Sequence, residues 1–256
     1  MTNKTKNPLH FFNSATAEDV LTLNIMDTIG ADIFGGGITA KMVADAIAGA
    51  GHFESITLSI NSPGGDLFEG VAIHNVLKAS GKPVNVEILG LAASAASLIA
   101  MAGNDIVAMP GSVMMIHEAM AFCQGYSADM TEMAAVLDTV TSSAADLYVA
   151  KTKLSKTKVM ALLAAETWME PKEAVELGFA TEVGSNKKAK AAATNSFDLS
   201  VFKNVPEDLK PVEEKNLGAA VDVEIAKVKA EMEIAAHEFC DPVIDILRKK
   251  LDLLRA

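Results

Sequence analysis

Between residues 20 and 183, short runs of β-branched and apolar residues alternate with segments of helical period. That alternation limits the fold more than any single residue does. Strands are expected at residues 20–29, 55–60, 84–89, 105–109, 112–117, 166–169 and 179–183, where Val, Ile, Thr and Leu cluster. Helices are expected at 40–50, 66–79, 127–150, 155–164 and 171–178, and from Ser94 to about Ala102. Thr39, Ser127 and Ser155 are candidate N-caps, and Gly178 is a candidate C-cap. Met130, Met133, Leu137, Val140, Ala144 and Leu147 form one stripe along the longest helix. Strands that repeatedly feed helices imply an α/β domain with a largely parallel sheet.

Half of the 256 residues are hydrophobic, enough for a large core. The net charge is −11, and no arginine precedes Arg248. This argues against a basic nucleic-acid surface and against arginine clamps on phosphate. Two cysteines, Cys123 and Cys240, are too few for a disulfide framework, so a reducing cytoplasm is the expected compartment. The apolar stretch 88–103 is shorter than the roughly 20 residues a membrane helix needs. The opening MTNKTKNPLHFF has no apolar core of signal-peptide length.

Composition changes after Gly184. Residues 185–218 are small and polar and read as a linker between a domain at 1–184 and a helical extension at 219–256. In the extension Val221, Ile225, Val228, Met232, Ala235 and Phe239 follow a heptad. The pattern suits an amphipathic helix pair or coiled coil, and equally a solvated helix folded back on the core.

Three motifs bear chemistry. In Gly90-Leu-Ala-Ala-Ser94-Ala-Ala-Ser, one serine among small residues follows a strand and opens a helix. There the backbone N–H groups are unpaired and a substrate carbonyl can approach, as a nucleophilic serine requires. The same residues suit a tightly packed helix whose serines bond back to their own turn. In Asn61-Ser-Pro-Gly-Gly65, a strand ends on two glycines whose N–H groups are unobstructed. Such a loop cradles an oxyanion beside the Ala95 N–H, or is an ordinary strand-to-helix turn. It lacks the Gly-Lys-Ser/Thr of a phosphate loop. Of five histidines, His117 alone ends an apolar strand, Met114-Met-Ile-His. Rigid placement of its ring suits a general base, as it suits a partly buried structural histidine. His74, within a helix and without a partnered motif, reads as structural. No zinc-site spacing occurs, and no metal or cofactor is expected.

In this order and spacing, NSPGG, GLAAS and MMIH resemble the Clp protease proteolytic subunits, the ClpP family of serine peptidases, over roughly residues 21–183. The resemblance implies a ClpP/crotonase-type fold of stacked β-β-α units, here with a C-terminal α-helical extension. It implies Ser94 as nucleophile, His117 as general base and the Gly65 and Ala95 N–H groups as the oxyanion hole. The family's acid falls on Glu166, in Glu166-Thr-Trp-Met-Glu-Pro, where glutamate replaces the usual aspartate. Asp138 and Asp146 on the long helix are poorer candidates. Ala119 and Leu91 also depart from the family pattern.

These departures, with the Glu-Thr-Trp-Met motif and the C-terminal extension, resemble the ClpP-related head maturation proteases of phages and prophages. That resemblance implies capsid or scaffold proteins as substrates, in the host cytoplasm or inside the prohead. It also implies a homo-oligomer, a heptameric ring that meets its twin through the long helix. The alternatives are a housekeeping proteolytic subunit with an ATPase partner, a crotonase-like acyl-CoA enzyme, and an inactive scaffold ring.

Overall fold

The structure, a computed structural model, describes residues 19–31, 37–185 and 197–210. The chain up to Leu209 is one compact unit and the chain from Lys210 a second. The heptad at 221–239 and the rest of the helical extension lie outside the described residues.

The elements follow in the order β1 Val20–Ile25, α1 Ala40–Gly49, β2 Ser55–Ser62, α2 Leu67–Ala79, β3 Val84–Ala93, α3 Ala95–Ala100, β4 Asp105–Ala108, β5 Val113–Ile116, α4 Ser127–Thr152, α5 Lys156–Ala164, β6 Thr167–Met169, α6 Pro171–Glu176 and β7 Glu182–Val183. β1, β2, β3, β4 and β7 lie side by side, all parallel. The expected α/β class with a parallel sheet is therefore what the chain adopts. Along β1 and the first half of β3 buried residues alternate with half-buried ones, so one face of the sheet carries the main core. Leu21, Leu23, Ile56, Leu58, Val86 and Ile88 are all buried in the main core.

The sheet forks on β3. Its first half, Asn85 to Ile88, pairs with β4. Its second half, Leu91 to Ala93, pairs with β5, and β5 pairs antiparallel with β6. Between the halves the register of β2 against β3 shifts at Ile60 and Ser62. The buried Asn61 side chain fills that irregularity, its Oδ1 accepting the Leu91 N–H at 3.0 Å. With its amide so paired, the strand continues to Ala93 rather than turning helical at Gly90. Ser94 consequently stands between strand and helix, not within the first helical turn as the sequence suggested. Past the fork, residue alternation serves two cores. Ala92, Met114 and Ile116 face the main one. Leu91, Ala93 and Met115 face a smaller one with Leu199 and, packed against it, Trp168, Phe197 and Phe202.

Helix boundaries follow the caps. The Thr39, Asp66 and Ser155 side chains accept the N–H groups of Met42, Glu69 and Lys158. Glu69 also reaches from α2 to the Ala40 N–H at 2.6 Å, tying α1 to α2. Ser127 is the first residue of α4 rather than its cap. The Asp129 carboxylate accepts the Tyr126 N–H at 2.6 Å, one half of a capping box. The apolar stripe of α4 divides. Ala144 is buried, Met133, Leu137, Val140 and Leu147 are half-buried, and Met130 at the start is exposed. β1 ends at Ile25, and Ile29 instead forms isolated bridges to Ile38 and Gly65. The last strand shrinks to Glu182–Val183. Within the span read as linker, residues 197–209 belong to the compact unit and pack on the smaller core.

Candidate active site

The fork in the sheet brings Ser94 and His117 together. Ala93 is level with Met115 across the β3–β5 pair, and the Ser94 N–H donates to the Met115 carbonyl at 2.9 Å. His117 is two residues beyond Met115, at the end of the adjacent strand. Its Nε2 lies 2.8 Å from Ser94 Oγ. Ser94 has φ +52° and ψ −125°, a conformation that L residues rarely adopt. A backbone held this way costs on the order of 1–3 kcal/mol and persists only where neighbours over-determine it. Here the over-determination is visible. Ser97 Oγ donates to the Ser94 carbonyl at 2.6 Å. Behind it the Tyr148 hydroxyl, fully buried on α4, lies 2.8 Å from Ser97 Oγ. Desolvation pushes that phenol far above its ordinary range, so it stays protonated and donates to Ser97.

The glycine loop faces the same serine. Gly65 has φ +144°, and a Cβ there would lie 2.2 Å from the Ile29 carbonyl oxygen. Ile29 takes its hydrogen bonds from the neighbours of Gly65: its N–H donates to the Gly64 carbonyl at 2.8 Å, and its carbonyl accepts the Asp66 N–H at 2.9 Å. The Gly65 N–H between them is left out of that pairing. Ala95 is the first residue of α3, so its N–H has no intrahelical acceptor. Both residues line a cleft of about 390 Å³ together with Ser94 and His117. Leu98, Val140, Ala144 and Leu163 make its far wall apolar. This arrangement can hold an extended chain with one apolar side chain inserted and a carbonyl set before two N–H donors.

His117 is half-buried, and burial pulls its imidazole below the ordinary value near 6.5. The charges of Glu166 and Glu118 and the Glu118 backbone push it up, and Lys203 pushes it down; the lowering prevails. The ring is therefore neutral at pH 7, the state a base must be in. Glu166 stands at the turn between α5 and β6, with φ +49°. Partial burial raises its carboxyl, but hydrogen bonds from the Lys203 and Asn204 N–H groups and from Trp168, with the His117 charge, bring it below the ordinary glutamate range. The bonds are 2.9 Å from Lys203 N, 2.5 Å from Asn204 N and 3.4 Å from Trp168 Nε1. Among the described residues no hydrogen bond joins Glu166 to His117; the carboxylate acts on the ring through space. Asp146 instead pairs with Lys156 at 2.8 Å, and Asp138 is exposed on α4, so neither is held at the imidazole.

His74 does not line this cleft. It is buried, with Nδ1 3.1 Å from the Leu98 carbonyl, a structural contact between α2 and α3. Sequence reasoning missed Ser97 and Tyr148 as supports of Ser94, and Phe202, Lys203 and Asn204 beside His117 and Glu166. Tyr148 carried a signal, a hydroxyl on the packed face of α4. The other group is separated from the rest of the site by residues 185–196, whose composition says only that they are polar and small. Asp19, His52 and Glu54 also bring one ligand atom each within 4.8 Å of one another, but on an exposed edge. No helix among the described residues is long and apolar enough to cross a membrane.

A family model described as Clp protease matches residues 31–187. The chain belongs to the Clp protease family. Among curated proteins it is 30% identical over 132 residues to an ATP-dependent Clp protease proteolytic subunit of Deinococcus radiodurans, covering 51% of this chain and 65% of that one. It is 30% identical over 135 residues to ATP-dependent Clp protease proteolytic subunit 2 of Treponema denticola, covering 52% and 68%. A proteolytic subunit of Pleurastrum terricola matches at 30% over 131 residues, covering 50% and 66%. The chain thus spans about two thirds of the length of each of these relatives. Ser94, His117 and the Gly64-Gly65 loop fall inside the Clp protease match, and so does Glu166. Of the groups that bind the Glu166 carboxylate, Trp168 falls inside it and the Lys203 and Asn204 amides fall outside.

Proposed function

We propose that the chain is a serine endopeptidase of Clp type. The observation that supports this most is the 2.8 Å contact of His117 Nε2 with Ser94 Oγ, at the mouth of an apolar cleft with two uncommitted backbone donors. In this reading Ser94 Oγ attacks a peptide carbonyl while His117 takes its proton. The Gly65 and Ala95 N–H groups bind the oxyanion of the tetrahedral intermediate. His117 then returns the proton to the leaving amine, and water repeats the cycle on the acyl-enzyme. Glu166 stabilises the imidazolium that forms at each step by its charge.

For substrates, we propose capsid or scaffold proteins of a phage prohead, cleaved without an ATPase. The Glu166-Thr-Trp-Met motif and the extension after residue 218 support this reading. A subunit fed by an ATPase partner is supported by the names of the three relatives, each a proteolytic subunit of an ATP-dependent protease. Assembly into a ring is supported by exposed apolar residues, Phe68, Met120 and Val136 at the cleft and Phe122, Tyr126 and Met130 on the loop and first turn of α4. The lysine-bearing linker after Gly184 is a proposed self-cleavage region.

The test is to incubate the purified full chain with such assembly proteins, with and without ATP and a Clp ATPase. Cleavage without ATP that is lost in Ser94→Ala supports the prohead reading. Cleavage only with the ATPase supports the other. Sizing of the same protein checks the ring, which requires a particle several times the mass of one chain.

A further inference from the structure

Residues 197–209 lie beyond the family match, which ends at 187, yet they form the outer wall of the site. Phe202 packs edge-on against the His117 ring, centroid to centroid 5.4 Å at 69°. It also meets Trp168 edge-on at 5.8 Å, and Trp168 in turn donates to Glu166. The next two residues present consecutive N–H groups to the Glu166 carboxylate, one to each oxygen. The Asn204 side chain closes the loop by donating to the Ala165 carbonyl at 3.1 Å, one residue before Glu166. Below, Leu199 is buried, and Phe197, Val205 and Leu209 pack on the same small core as Leu91, Ala93 and Met115. The segment is therefore anchored to the two strands that carry Ser94 and His117.

We propose that residues 197–209 are a positioning element of the active site, in which Phe202 seals the outer face of the His117 ring and the Lys203 and Asn204 amides hold Glu166 beside it. This rests on the reading of Ser94 and His117 as nucleophile and base. Its physical basis is that an acid without a hydrogen bond to the imidazole must be fixed by something else. Its charge stabilises the imidazolium only while it stays in place. The amides supply that fixture and keep the carboxylate ionised. Phe202 supplies the other half, by withholding water from the ring. The charged groups facing the imidazole are Glu166 before β6, Glu118 after β5 and Lys203 on the segment itself. Removing Phe202 relieves the burial that depresses the ring without removing any of these charges, so the His117 titration moves upward.

The test measures fluorophosphonate labelling of Ser94 against pH in the full chain, for wild type, Phe202→Ala, Phe202→Leu, Asn204→Ala and Ser94→Ala. Phe202→Ala is expected to label between about tenfold and a hundredfold more slowly at pH 7, the size of effect that misplacement by about an ångström produces. Its acid limb is expected at higher pH than in wild type. Phe202→Leu keeps apolar cover and is expected to keep the wild-type acid limb. Asn204→Ala, an exposed position, keeps the backbone N–H bonded to Glu166 but removes the side-chain bond to the Ala165 carbonyl that holds the two segments together, and it is expected to label several-fold more slowly. Labelling of Phe202→Ala and Asn204→Ala at the wild-type rate with an unmoved acid limb overturns the proposal. Should Phe202→Ala not fold, Asn204→Ala and Phe202→Leu decide the matter alone. A wild type that labels no faster than Ser94→Ala overturns instead the reading beneath it.

Discussion

Gly64 faces Ser94 so closely that a methyl group on its Cα would lie 2.6 Å from the Ser94 Cβ, 2.6 Å from the Ala93 carbonyl oxygen and 3.0 Å from the Ala95 nitrogen. Its φ of +91° is a second barrier to any side chain. The glycine loop and the Ser94 turn are thus fitted to each other, and the space before the Ala95 N–H exists because Gly64 has no Cβ. Gly64→Ala is expected to slow labelling of Ser94 by roughly 10²–10³, the cost of losing an oxyanion donor. Melting and labelling measured together check this.

The Tyr148–Ser97–Ser94 chain predicts an asymmetry. Tyr148→Phe leaves Ser97 still donating to the Ser94 carbonyl and is expected to cost about 1 kcal/mol, with labelling near wild type. Ser97→Ala strands the fully buried Tyr148 hydroxyl and frees the strained Ser94 turn. It is expected to cost about 1–3 kcal/mol and to slow labelling as well. Denaturant midpoints and labelling rates for the two variants test the order.

Glu166 and Phe202 act on His117 with opposite signs. The Glu166 charge raises the imidazole, so Glu166→Gln is expected to move the acid limb of the labelling rate to lower pH. The rate on the plateau is expected to fall at the same time, because the imidazolium loses its counter-charge. A pH profile of Glu166→Gln beside wild type reads both effects.

His74 supplies a pH dependence of stability rather than of rate. Burial depresses its imidazole below the ordinary value near 6.5, the Leu98 carbonyl opposing and Lys78 assisting. The unfolded chain therefore binds more protons than the native one between the depressed value and about 6.5. Stability is full above that window and falls as pH drops through it. His117, lowered for the same reason, adds to the fall. His74→Gln is expected to flatten the loss of melting temperature between pH 7.5 and 5.5, whatever it costs at pH 7.5. Thermal melts at the two pH values measure it.

Much of the fold was legible because strands with one face in the core alternate apolar and polar residues, as in Ile56–Ile60 and Val84–Ile88, and because Thr39, Asp66 and Ser155 mark helix starts. The extension of β3 to Ala93 was not legible. It depends on Asn61 reaching across the fork to Leu91, a contact between residues 30 apart. The proximity of Ser94 and His117 followed from motifs at the ends of two strands that turned out to be neighbours. The wall at Phe202 was hidden for the opposite reason. No periodicity links residues 197–209 to a strand, and their packing is decided by Trp168 and Met115 on other elements.

The central claim is that His117 activates Ser94 in the folded chain. Its most direct test is the intact mass and the peptide map of the full chain after treatment with a fluorophosphonate at pH 7.5. A single adduct on Ser94, absent in Ser94→Ala and slowed by about 10⁴ in His117→Ala, is the result this account requires. A folded, assembled wild type that takes up no adduct, or an adduct that persists in Ser94→Ala, would contradict it.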